Sequence, residues 1–119
     1  NHLVFSMFDK AIQKYPDAKP IFHSDRGFQY TGNVFKGKIE EAGMTQSMSR
    51  VGKCIDNGPM EGFFGTLKTE MFYGKKFKTL EELRRKIVEY IKFYNEKRFQ
   101  KRLRCMTPLE YRNHASKCV

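Results

Sequence analysis

The sequence predicts an α/β fold in which amphipathic helices cover a small parallel sheet. Three observations carry this. Residues 20–24, Pro-Ile-Phe-His-Ser, form a short apolar run that ends on Asp25. Residues 44–48, Met-Thr-Gln-Ser-Met, form a second short run, and the stretch between them has helical spacing, so a helical crossover makes the two strands parallel. On either side, longer segments repeat apolar residues every three or four positions, the period of a half-buried helix.

The elements follow in chain order. Residues 2–15 place Val4, Phe8, Ala11, Ile12 and Tyr15 on one helical face, and Pro16 and Pro20 end that helix before the first strand at 20–24. Thr31 is expected to cap a second helix, with Phe35, Ile39 and Ala42 inward and Gly43 as its stop. After the strand at 44–48, residues 49–58 read as a polar, mobile loop. Pro59 suits the first turn of the next helix, with Asp56 or Asn57 as its cap. That helix, 59–73, carries the stripe Met60, Phe63, Phe64, Leu67 and Met71, with Glu61 and Lys68 on an adjacent stripe. Thr79 and Glu82 form a capping box for a long helix with Leu80, Leu83, Ile87, Ile91 and Tyr94 inward and Arg84, Arg85, Lys86 and Lys92 outward. Pro108 opens a last short turn.

Composition narrows the function. A 119-residue chain is one domain at most and can bury roughly two thirds of its unfolded surface. No run of about 18 apolar residues occurs, so no membrane span is expected. The cysteines, Cys54, Cys105 and Cys118, are odd in number and widely spaced, which argues against a zinc site or a disulfide framework and for a reducing cytosol. The net charge of +10 is uneven. Residues 1–74 hold 9 Lys/Arg against 8 Asp/Glu, and residues 75–119 hold 14 against 5. A basic half beside a neutral half suggests a polyanion partner rather than a merely solvated surface.

The chemistry concentrates in His23-Ser24-Asp25-Arg26-Gly27-Phe28-Gln29-Tyr30, Gln46-Ser47-Met48-Ser49-Arg50 and Asp56-Asn57-Gly58-Pro59-Met60-Glu61-Gly62-Phe63-Phe64. One carboxylate ends a strand, another opens a helix, and 35 residues separate Asp25 from Glu61. Two such acids can meet over a shared metal. The ordered set resembles the integrase-like core of bacterial insertion-sequence transposases, relatives of the retroviral integrases, and the resemblance continues through residues 94–98 and 107–112. These enzymes carry an Asp, Asp, Glu triad on an RNase H-like fold, and the 35-residue gap is the one found between their second and third acids.

The resemblance implies that Asp25 and Glu61 are catalytic metal ligands for two ions, Mg²⁺ or Mn²⁺, in phosphodiester cleavage and DNA strand transfer. Lys68 matches a lysine that touches the DNA end, and Arg84, Arg85, Lys86 and Arg98 are further DNA-binding candidates. The alternative role of Asn95 and Arg98 is hydrogen bonding inside the fold. Asp56 reads as a helix cap and His23 as a packed strand residue. Gln100 stands where the family often has histidine. The family's first Asp lies on a strand upstream of residues 2–15, and neither Asp9 nor Asp17 replaces it.

The expectation is therefore a truncated RNase H-like fold: a single partial domain over 1–119, lacking the first three strands, with 75–119 as a basic helical extension. It is inactive alone and binds its ions weakly or not at all. Its partner is DNA; the open edge of the 20–24 strand favours a homo-oligomer, and the setting is the bacterial cytoplasm, on the nucleoid. The alternatives are a non-catalytic DNA-binding or assembly module and an RNase H-like nuclease.

Overall fold

The structure, a computed structural model, describes residues 1–118. The chain forms two compact units, Asn1–Gly62 and Phe63–Val119.

The first unit begins with α1 (His2–Lys14), followed by β1 (Ile21–Ser24). Two helical pieces, α2 (Phe28–Thr31) and α3 (Asn33–Glu41), lead to β2 (Thr45–Met48). The strands pair in parallel, with Ile21 opposite Thr45 and Ser24 opposite Met48, as the helical crossover requires. One more bond, from the Ser49 N–H to the Ser24 carbonyl at 2.9 Å, carries the pairing past the last strand residues.

Phe8, Phe35 and Ile39 are almost fully buried and form the core of this unit. The Phe35 ring touches four others, Phe5, Phe8, Phe22 and Tyr30, at centroid separations of 5.3 to 5.6 Å. Helix and strand are thus joined mainly through aromatic edges and faces.

The crossover differs from expectation at one point. Thr31 does not cap a helix, because it already lies inside the turn that starts at Gly27, and its hydroxyl donates back to the Phe28 carbonyl at 3.2 Å. Gly32, in extended conformation, separates the pieces and stands at the N-terminus of α3. Gly43 does end the crossover. Its φ of +69° suits a residue without Cβ, and the Met44 N–H reaches the Ile39 carbonyl at 3.0 Å, the bond that closes a left-handed helix end. The Lys19 ammonium takes the Ala42 carbonyl at 2.7 Å.

A 3₁₀ turn (Cys54–Asn57) leads into α4 (Gly58–Leu67), which continues as a π-helical turn (Lys68–Phe72). The second unit adds α5 (Leu80–Glu96), a short 3₁₀ turn (Lys101–Leu103) and α6 (Pro108–Lys117). Leu67, Met71 and Tyr90 are its buried centre, with Phe63, Phe77, Ile87 and Tyr94 packed around them.

The inward stripe of α5 is Leu83, Ile87, Tyr90 and Tyr94. Leu80 and Ile91, expected inward, are 70% and 39% exposed. At 100° per residue they lie about 50–70° from the centre of that stripe, at its edge. Thr79 caps α5 by accepting the Glu82 N–H at 3.0 Å, while the Glu82 carboxylate takes the N–H of Lys78 rather than that of Thr79. The reciprocal box is complete at α6 instead, where Thr107 and Glu110 each accept the other's backbone N–H. With Pro108 in its first turn, α6 runs for 10 residues, not a single turn.

Phe35→Ala removes the ring on which four aromatic side chains converge. It should destabilise the first unit by about 3–5 kcal/mol, read as a shift in the urea midpoint followed by the Tyr30 and Phe22 resonances. An unchanged midpoint would contradict this description of the core.

Candidate active site and nucleic-acid surface

Within the first unit, Asp25 and Glu61 line one open cavity of about 510 Å³. Asp25 follows the last residue of β1, so its position is set by the parallel ladder. Its Oδ1 accepts the Gly27 N–H at 2.8 Å, and the Ser24 hydroxyl donates to its carbonyl at 2.9 Å. A Cβ on Gly27 would come within 2.9 Å of that Oδ1, so the turn admits the carboxylate in this pose only because residue 27 has no side chain. Glu61 stands in the first turn of α4, where the positive end of the helix dipole favours a carboxylate.

The segment between them is more ordered than a polar, mobile loop. Arg50 closes it on Asp56 through three bonds: the backbone N–H and Nε of Arg50 to Oδ2, both at 2.9 Å, and Nη2 to Oδ1 at 2.7 Å. This pair holds the Asp56 carboxyl well below the usual carboxylate range, chiefly through the guanidinium hydrogen bonds. Asp56 is therefore an ion-pair partner and not the cap of α4. Arg26 fixes the other side, its Nε donating to the Ser49 carbonyl at 2.8 Å. His23 spans the strands, its ring nitrogens 3.0 and 3.4 Å from the hydroxyls of Ser47 and Ser49. His23 is thus a strand residue, as expected, but an exposed one and not packed.

The donors suit a hard divalent cation. Glu61 and the second oxygen of Asp25 accept no hydrogen bond from the described residues, and carboxylate oxygens are the preferred ligands of Mg²⁺ and Mn²⁺. Two carboxylates make an incomplete set: among the described residues no three His, Cys, Asp or Glu side chains converge as a metal-binding group. Arg26 and Lys53 add positive charge to the cavity wall, which an anionic phosphodiester can use.

The cations offered by the sequence divide in the second unit. Lys68, Arg84 and Arg85 are exposed and, among the described residues, without carboxylate partners, and Lys86 makes a loose 3.4 Å contact with Glu89. Arg98 is different. Its Nε lies 2.9 Å from both Glu70 oxygens, Nη2 lies 2.8 Å from one of them, and the guanidinium stacks on the Tyr94 ring. The Tyr90 hydroxyl donates to the same carboxylate at 3.3 Å. The role of Arg98 inside the fold, given above as the alternative, is the one the geometry displays, and it leaves little of the guanidinium for DNA. No sequence signal named Glu70 as its partner. The three cysteines are free, and none pairs or gathers with a second thiol. No helix of the described residues is long and apolar enough to cross a membrane.

Residues 61–115 match the model of an integrase core domain. Over almost the whole chain the sequence is also similar to proteins of bacterial insertion elements. It is 46% identical to an uncharacterised transposase-like protein of Haemophilus influenzae over 109 residues, 92% of this chain and 50% of that one. It is 44% identical to the transposase InsK ascribed to insertion sequence element IS150 of Escherichia coli, over 94% of this chain and 40% of that one. It is 35% identical to the transposase of insertion sequence element IS904 of Lactococcus lactis, over 96% of this chain and 46% of that one. The chain thus carries an integrase-core segment and is similar along almost its whole length to transposases of bacterial insertion sequences, which supports a DDE-type transposase fragment. It spans about half the length, or less, of these relatives. No solved structure matches it.

Two outcomes follow. Gly27→Ala should leave the fold intact yet move the Asp25 carboxylate out of its turn. A crystal structure of the variant with Asp25 unmoved would contradict the packing described here. Glu70 ionises below its ordinary value of 4.5, mainly because Arg98 hydrogen-bonds its charged form against the opposing effect of desolvation. A lowered acid stabilises the folded state fully above its ordinary value, and that contribution is lost as pH falls through the lowered one. Melting of the second unit should therefore be insensitive to Glu70 titration down to about pH 5 and fall below it. Glu70→Gln should be less stable at neutral pH and lose less on acidification. Parallel pH profiles for the two proteins would exclude the pair as a source of stability.

Proposed function

We propose that this chain is the carboxyl-terminal part of the catalytic core of a DNA transposase, a truncated RNase H-like domain over 1–119 with 75–119 as its basic extension. The observation that carries the reading is that Asp25 and Glu61, separated by 35 residues in sequence, both line one cavity of the first unit. The insertion-element relatives support DNA as the substrate.

In this reading Asp25 and Glu61 hold divalent ions, Mg²⁺ or Mn²⁺, together with a third carboxylate from upstream in a longer protein. Such ions, when bound, activate the attacking oxygen and stabilise the leaving one at the scissile phosphate. The chain's own residues prepare that site. Gly27 orients the Asp25 carboxylate, the Arg50–Asp56 pair fixes the loop on which Lys53 sits, and Pro59 sets the helical turn that presents Glu61. Lys53 and Arg26 balance the charge of an entering phosphodiester. Lys68, Arg84, Arg85 and Lys86 are exposed for phosphate contact. With two carboxylates and no third converging on them among the described residues, this chain alone binds the ions weakly and turns nothing over. Exposed apolar side chains such as Leu3 and Ile21 are covered by the upstream segment or by a second copy, in a homo-oligomer working on the nucleoid.

The test uses a longer protein that includes the upstream segment. Asp25→Asn and Glu61→Gln should each lower Mg²⁺-dependent cleavage and strand transfer by roughly a thousandfold, the loss of several kcal/mol of transition-state stabilisation, while affinity for DNA is kept. Near-normal strand transfer by either variant would remove the assignment.

A further inference from the structure

We infer that the turn at 100–106 is a preorganised docking element for the phosphate backbone of duplex DNA, with Lys101 and Arg104 as its contact residues. The inference rests on the DNA reading above and adds to it a surface that the resemblance did not supply.

Charge balance singles out this turn. The basic triplet Arg84-Arg85-Lys86 sits in a helix that is neutral overall: α5 carries Arg84, Arg85, Lys86 and Lys92 against Glu81, Glu82, Glu89 and Glu96. Residues 97–109 hold Lys97, Arg98, Lys101, Arg102 and Arg104 and no acid at all. Arg98 is neutralised by Glu70, and the nearby Glu110 is occupied by the N–H of Thr107. Lys97, Lys101, Arg102 and Arg104 are exposed, and among the described residues none has a carboxylate partner. Like charges with no internal counter-ion repel one another, and a polyanion relieves that repulsion.

The backbone holds these cations in place. The Gln100 N–H donates to the Met106 carbonyl and the Cys105 N–H to the Gln100 carbonyl, both at 3.1 Å, closing the turn at its base. Inside it the Leu103 N–H reaches the Gln100 carbonyl at 2.9 Å and the Arg104 N–H the Lys101 carbonyl at 3.1 Å. Leu103 and Met106 are half-buried and anchor it. Phosphate contacts made from such a frame lose less chain entropy on binding than contacts from a loose tail.

The turn is also costly in a way that a plain connector need not be. Arg104 and Cys105 are consecutive left-handed residues, with φ of 55° and 59°, at positions where glycine would be relaxed. The Gln100 Nε2 is a buried donor with no acceptor, while its Oε1 takes the Arg102 Nε at 3.2 Å. Strain of this kind, held by surrounding hydrogen bonds, is a mark of functional segments.

The test is fluorescence anisotropy of this 119-residue chain on a labelled DNA duplex across a salt series. Lys101→Gln/Arg104→Asn removes two charges, keeps the Arg102–Gln100 contact and places at 104 a residue that tolerates the left-handed region. Binding should weaken roughly tenfold or more at low salt, and the slope of log K against log salt should shrink by about 2, one unit for each lost phosphate contact. Arg84→Gln/Arg85→Gln should change the slope by less, and the charge-keeping Lys101→Arg/Arg104→Lys should restore it. Should the first variant melt early, Lys101→Gln alone gives the same reading at half the size. Wild-type slope in the neutral variants, with wild-type DNA binding intact, would overturn this inference and leave the DNA reading standing. No binding of the wild type to any duplex would overturn the DNA reading and this inference with it. Preference for anionic lipid vesicles over DNA, lost in the same variants, would assign the turn to a membrane surface and overturn it as well.

Discussion

The four-residue parallel pairing of β1 with β2 is the constraint on which the candidate site depends. Parallel strands end on the same side, so the segments leaving their carboxyl ends emerge together. Here one segment is Asp25-Arg26-Gly27 and the other starts at Ser49, whose N–H continues the ladder onto Ser24. Arg26 then bonds the Ser49 carbonyl, and the Arg50–Asp56 pair folds the rest of the second segment back on itself. Glu61 reaches the same cavity because the loop that starts at Ser49 is short and internally tied. Remove the ladder and the two carboxylates have nothing to bring them together but the chain between them.

The local chemistry agrees with that geometry. Opposite charges line the cavity, and the carboxylates that face it have no basic partner among the described residues, while Asp56 is paired with Arg50 and, within the second unit, Glu70 with Arg98. An acid that serves the fold is paired, and an acid kept for a cation is not. By the same reasoning, the paired Arg98 belongs to the architecture and the unpaired Lys101 and Arg104 to the surface.

Much of this was legible in the sequence, and the omissions have physical causes. Both strands, their parallel sense, the stop at Gly43, the helix start at Pro59 and the Thr79 cap are local signals, fixed by proline, glycine and capping chemistry. The 35-residue interval between Asp25 and Glu61 was legible as well, through resemblance. What failed was long-range or unmarked. Asp56 has the local character of a helix cap, but a tertiary ion pair with Arg50 outweighs that preference. Glu70 lies 28 residues from Arg98 and shares no motif with it. The left-handed pair at 104 and 105 carries no glycine, asparagine or aspartate to announce it. Leu80 and Ile91 have the spacing of an inward stripe, yet helical spacing does not say where the edge of the buried stripe falls.

The most direct measurement of whether Asp25 and Glu61 form one cation site is paramagnetic broadening by Mn²⁺ in the amide spectrum of this chain. Broadening should begin at residues 25–27 and 57–62 together, at low Mn²⁺ fraction, and disappear from both segments in Asp25→Asn and in Glu61→Gln. Broadening at one segment alone, or broadening that survives either substitution, would show that the two carboxylates do not share an ion.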